Sequence, residues 1–148
     1  MTRERPRFDD VQVGDVLPAQ AFEVTRADLV RYAGASGDLN TIHWNDRVAR
    51  EVGLPGVIAH GMFTMATAVR VVVDWVGDPG AVVEYGVRFT KPLPVPDPGS
   101  ARLDVTGTVA VKDDAARTVR VDLTATTPGP DGATVSVLGR ARATVRLP

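Results

Sequence analysis

The stretch GMFTMATAVRVVVDWV, Gly61 to Val76, decides how the rest of the chain is read. Nearly every residue in it is apolar, and the exceptions Thr64, Thr67, Arg70 and Asp74 return at steps of three or four. That spacing places them on one narrow stripe and predicts an α-helix buried over most of its circumference. At 1.5 Å per residue such a helix is about 24 Å long, enough for a sheet to wrap. GDPG at 77–80 ends it.

Downstream the hydrophobic period changes from 3.6 to 2. Val83, Tyr85, Val87 and Phe89 alternate with Glu84, Gly86, Arg88 and Thr90, and Leu103, Val105, Val109 and Val111 alternate with Asp104, Thr106, Thr108 and Ala110. Val119, Val121, Leu123 and Ala125, then Val135, Val137, Ala141, Ala143 and Val145, repeat the pattern. Each run predicts a strand with one apolar face. KDDAA and PGPDG are short enough for antiparallel hairpins, whereas KPLPVPDPG is a longer proline-rich turn between the first two of these strands. Upstream, a first strand is expected from Asp15 to Val24. Thr25 followed by Asp28 resembles a capping box for a helix over roughly 26–35, and one or two more helical turns are expected from Asp46 to Val52. One-sided strands belong to an antiparallel sheet covered on one face, and only the 61–76 helix is apolar enough to cover it. The expected architecture is α+β, a curved sheet wrapped around a long central helix.

The chain has 148 residues, room for a single domain spanning 1–148 and none for a second. Apolar residues make up 44% and charged residues 24%, the balance of a folded globular protein. The formal charge is −1 with basic residues spread along the sequence, which argues against a nucleic-acid partner. With no cysteine there is no disulfide framework, thiol nucleophile or cysteine-based metal site. The start MTRERPRFDD lacks the apolar core of a signal peptide, and no apolar run reaches membrane-spanning length. A cytoplasmic protein with no membrane partner is expected.

Two histidines, His43 and His60, lie in the irregular region before the central helix, close in sequence to Asp38 and Asn40. An imidazole titrates near neutral pH, and a carboxylate in reach of the same water can share the handling of its protons. Asp38 and His43 are the candidate acid/base pair. Plainer roles exist for each: Asp after Gly forms turns, His43 at a loop surface needs no partner, and His60 at a helix start can cap or pack. A metal site is not expected, because no HxH or HxxxH spacing is present.

The run YAGASGDLNTIH, Tyr32 to His43, with Ala49 six residues beyond the histidine, resembles the signature of the MaoC-like hydratases, the R-specific enoyl-thioester hydratases and dehydratases. GL at 53–54, IAHGM at 58–62 and YGVRF at 85–89 extend the resemblance over roughly 10–146. It implies the hot-dog fold, in agreement with a sheet wrapped around a helix. Within the family, GDLN.IHW, IAHGM and WVGDPGAV.EY.VRFT are similar to the catalytic subunit of the mycobacterial-type (3R)-hydroxyacyl-carrier-protein dehydratases. That subunit pairs with a related one lacking the dyad.

The resemblance implies hydration and dehydration of an acyl thioester of coenzyme A or acyl carrier protein, in fatty-acid metabolism, with no cofactor. Asp38 and His43 become the catalytic pair, and Asn40, His60, Gly61 and Arg88 are expected around the substrate. Asn40 would orient the water or the loop, and Gly61 would offer its N–H to the thioester carbonyl, aided by the helix dipole. Apart from the resemblance, Arg88 and Lys91 are candidates for contact with carrier phosphates, with plain solvation as the alternative. Trp44, Met62, Phe63, Met65 and Trp75 are likewise candidates for an acyl tunnel, with plain core packing as the alternative. The family's proline is replaced here by Thr41, and a serine some members carry in the central helix by Ala66. Pairing with a second hot dog is expected, as a homodimer or with a related chain. A hot-dog thioesterase and a non-catalytic acyl-binding subunit are the alternatives, separated from a hydratase by their products.

Overall fold

The computed structural model describes residues 5–148, so the first four residues of the polar start lie outside it. Five strands, β1 (Gln20–Val24), β2 (Val82–Phe89), β3 (Ala101–Asp113), β4 (Thr118–Pro128) and β5 (Thr134–Arg146), form one sheet. Its order is β1-β3-β4-β5-β2, and every neighbouring pair is antiparallel. Three helices, α1 (Arg26–Ser36), α2 (Asp46–Glu51) and α3 (Gly61–Val76), lie before β2 in the chain. The sheet curls around α3, whose Ala68, Val71, Val72 and Val76 share one core with Leu103 and Val105 of β3, Val119 and Val121 of β4, and Ala143 and Val145 of β5. Burying each of these valines stabilises the fold by roughly 1.5–3 kcal/mol, so the helix is held by its packing more than by its propensity.

The helix ends where expected, because Gly77 adopts a left-handed φ of 68° that lets its N–H reach the Val73 carbonyl. Its solvent stripe is different from the one expected. Thr64 and Thr67 are buried, their hydroxyls turned back onto the carbonyls of His60 and Phe63, and the exposed line runs Met62, Ala66, Arg70, Asp74. Threonine can satisfy its hydroxyl within its own helix, so it sits on an apolar face at little cost and misleads a polarity count.

Three further expectations are corrected. The first strand begins at Gln20, because Pro18 has no N–H for the ladder; before it only a single bridge, Val16 to Thr108, forms. A bulge between Val109 and Val111 shifts the phase of β3 and turns Val111 outward. Bulges at Val82/Glu84 and Gly86/Arg88 do the same to β2, an edge strand on which Val83 and Phe89 are 46% and 53% exposed. Tyr85 stays inward, its hydroxyl donating to Met65 O at 2.8 Å, and burial pushes that phenol's pKa up.

The proline-rich segment after β2 does more than connect. It crosses from one edge of the sheet toward the other, since β2 pairs with β5 and β3 with β1. On the way it zips onto the chain just before α3: Ala59 N–H donates to Leu93 O, and Val95 N–H to Val57 O, both at 2.9 Å. That fixes the start of the central helix.

Candidate active site

The loop 37–45 between α1 and α2 is built by side chains that replace missing backbone partners. Thr25 and Asp28 exchange capping bonds at the start of α1, and the Thr25 N–H first of all holds the Asp28 carboxyl below its ordinary pKa. At the far end Gly37 turns with φ 77°, after which Asp38 N–H donates to Ser36 Oγ, Asn40 N–H to Asp38 Oδ1 at 3.1 Å, and Ile42 N–H to Asn40 Oδ1 at 3.3 Å. Thr41–His43 then makes one 3-10 turn. Asn40 thus holds the loop with its side-chain oxygen. Trp44, which is exposed, braces the same loop through its indole N–H to Leu39 O.

A second set of contacts locks this loop to the start of α3. Asp46 accepts two bonds from Arg26 Nη2, at 3.0 and 3.1 Å, and one from Val57 N–H at 2.9 Å. Those bonds, Val57 first and Arg26 next, lower the Asp46 pKa. Arg26 Nε also donates to Val95 O at 2.6 Å. The beginnings of α1 and α2, the strip before α3 and the crossover therefore meet at one ion pair.

His43 is buried, and its Nδ1 lies 2.8 Å from Ile58 O. A carbonyl only accepts, so Nδ1 carries the proton and Nε2 of the neutral ring presents a lone pair. That Nε2 is 4.0 Å from Asp38 Oδ2, on an exposed carboxylate. Two acceptors at that separation make no direct hydrogen bond, but a water donating two bonds of about 2.8 Å can straddle them. Both proton-handling atoms face a common gap.

His60, the residue before α3, is only 1% exposed and lies behind the dyad. Its Nε2 donates to Asp38 O at 3.1 Å, and its ring stacks on that of His43 with centroids 3.8 Å apart. Gly61 follows as the first residue of α3, and its N–H has no hydrogen-bond partner among the described residues. The ring of Phe89 rests on Gly61: a Cβ there would lie 3.0–3.2 Å from three of its carbons. Phe89 and the carbonyl of Ile58 are parts of the site that the sequence did not single out. Phe89 reads as a strand residue, and no pattern marks which backbone carbonyl will orient a histidine.

Two hollows flank α3. One of about 330 Å³ is bounded by Leu54, Ile58, Gly61, Phe89, Lys91 and Leu138; the other, of about 600 Å³, by Phe22, Tyr32, Phe63, Ala66, Thr67 and Arg70. Lys91 lines the first, whereas Arg88 stands exposed on β2 opposite Gly139, outside both hollows and the histidine cluster. Of the five candidate tunnel side chains only Phe63 lines either hollow, and Trp44 and Met62 are exposed. Asp38, His43 and His60 hold possible metal-ligand atoms within 4.8 Å of one another. With His43 Nδ1 and His60 Nε2 committed to carbonyls, His43 Nε2, His60 Nδ1 and the carboxylate remain as donors. No helix among the described residues is long and apolar enough to cross a membrane.

The model of the MaoC like domain matches residues 10–127. The chain belongs to the MaoC-like domain family. A solved MaoC-like dehydratase, 42% identical, superposes with a TM-score of 0.91 over 97% of this chain and 43% of its own. The 3-hydroxyacyl-thioester dehydratase X of Mycobacterium tuberculosis is 43% identical over 79 residues, 53% of this chain and 27% of that protein. The (R)-specific enoyl-CoA hydratase of Rhodospirillum rubrum is 30% identical over 106 residues, 71% of this chain and 73% of the hydratase. Two of these three relatives are thus matched over less than half of their length. In this MaoC-like domain the Asp38, His43 and Gly61 neighbourhood falls inside the matched span.

Proposed function

We propose that this MaoC-like chain interconverts trans-2-enoyl and (3R)-3-hydroxyacyl thioesters, carried by coenzyme A or acyl carrier protein, in fatty-acid metabolism. The observation that carries this reading is the pair of acceptors, His43 Nε2 and Asp38 Oδ2, 4.0 Å apart over one gap. A water bridging them is held by both protons with its oxygen lone pairs free. In hydration that oxygen bonds to C3 as one member of the pair takes a proton from it, and the pair passes that same proton on to C2, so both groups end as they began. The C2–C3 π bond breaks, and the net change is H at C2 and OH at C3. Negative charge passing through the thioester oxygen is met by Gly61 N–H at the start of the 16-residue helix. The names of the M. tuberculosis and R. rubrum relatives point to the same thioester chemistry.

Pairing with a second hot dog supports this site. Edge strand β2 leaves Val83 and Phe89 exposed, and Phe89 rests on Gly61, the residue before exposed Met62, so that apolar surface borders the start of α3. The testing experiment measures the mass of the purified chain in solution and its products from crotonyl-CoA. A dimer forming (3R)-3-hydroxybutyryl-CoA is expected. Free coenzyme A without the hydroxy product would replace the reading by a thioesterase. Absence of any product, alone and with a related hot-dog chain, would leave an acyl-binding subunit, and a strict monomer with full activity would remove the pairing.

A further inference from the structure

We infer that His60 is a positioning residue that sets the dyad, holding Asp38 by its backbone and His43 by its ring face. One buried imidazole touches both halves of the pair: Nε2 donates to Asp38 O at 3.1 Å, and the ring lies 3.8 Å from that of His43 at 25°. Its other flank is closed by Tyr32 of α1, centroids 4.7 Å apart and tilted by 59°, and Tyr32 in turn packs edge-on against Phe63 of α3. Asp38 is otherwise exposed on a loop tied mainly to itself. The bond from His60 is what anchors its backbone to the start of α3.

The chemistry fits a fixed support and not a third proton carrier. With Nε2–H given to a carbonyl, Nδ1 must stay bare, and this nitrogen is buried with no partner. Protonating it would bury an unpaired N–H and a charge, stacked against a second imidazole. Desolvation first, and the neighbouring His43 as well, lower the His60 pKa; the bond to Asp38 O and the Asp38 carboxylate oppose that shift. A substrate contact is excluded by the same burial, since His43 and Tyr32 cover its ring.

The kinetic test rests on the hydratase reading; the spectroscopic one does not. His60→Phe keeps the ring and its stacking but has no donor, whereas the amide of His60→Gln places an N–H close to where Nε2–H stands. In crotonyl-CoA hydration the Phe variant is expected to lose about 10–100-fold in kcat, the scale of a small misplacement of reacting groups, with KM near wild type. The Gln variant is expected to recover most of that loss, and the pH profile of kcat to keep both limbs. An unchanged kcat in His60→Phe, an equal loss in Gln and Phe, or an effect confined to KM would overturn the inference. Because the chain has only two histidines, ¹⁵N spectra of its imidazoles are readily assigned by the Gln variant. His60 is expected in the Nε2–H tautomer and to titrate below the usual value of about 6.5. A His60 that protonates at or above that value, or is Nδ1–H, would overturn the inference even if Phe fails to fold. A wild-type chain inert toward crotonyl-CoA would count against the hydratase reading alone, leaving the spectra to judge His60.

Discussion

Replacing His43 with alanine, or Asp38 with asparagine, is expected to lower kcat for crotonyl-CoA hydration by roughly 10²–10⁴-fold, the range for positioned acid/base groups. The two changes act differently. Alanine at 43 removes the Nε2 lone pair together with the ring that is held on Ile58 O. Asparagine at 38 is gentler on the fold, because its Oδ1 still accepts from Asn40 N–H and the turn survives. In place of Oδ2, however, it brings an NH₂, which cannot accept from a water in the 4.0 Å gap. One of the two acceptors is then lost. Steady-state kinetics alongside circular dichroism and a thermal melt check this; near-normal kcat in both folded variants would remove the pair from the mechanism.

The second large effect concerns a backbone donor, which side-chain replacement cannot reach directly. Proline is tolerated at the first position of a helix, where its missing N–H is not needed for the helix itself. His60, with φ −58° and ψ 134°, already has the extended backbone that precedes proline comfortably. Gly61→Pro should therefore fold while deleting the N–H proposed to receive the thioester oxygen. Gly61→Ala is the control, since it keeps the N–H and adds the same Cβ, which the exposed Phe89 ring must yield to by a few tenths of an ångström. Loss of one such donor costs about 10²–10³ in kcat. The Pro variant is expected that far below the Ala variant, and equal rates in the two would mean the donor plays no part.

How much of this was legible depended on whether a feature is written in side chains or in backbone. The α3 helix and four of its strands announced themselves by period, and the Thr25/Asp28 box fixed the start of α1 within the expected range. The period misled where a bulge changed the phase, at Val111 and along β2, and where threonine satisfied itself inside its own helix, at Thr64 and Thr67. Asp38 and His43 could be named from the motif and do lie side by side. What orients them could not: the Ile58 carbonyl is fixed only once the 57–59 strip pairs with 93–95, a contact between distant segments. His60 was recognised as part of the motif, yet its burial beneath the dyad emerges only when α1, the loop and α3 are assembled.

The most direct test of one water handled from one side is to hydrate crotonyl-CoA in D₂O and read the product at early conversion by proton NMR. Two groups sharing a single gap can deliver deuterium to C2 and oxygen to C3 only on the same face. The expected product is the single syn-labelled (3R) diastereomer. Anti addition, or deuterium scrambled over both C2 positions, would contradict the account.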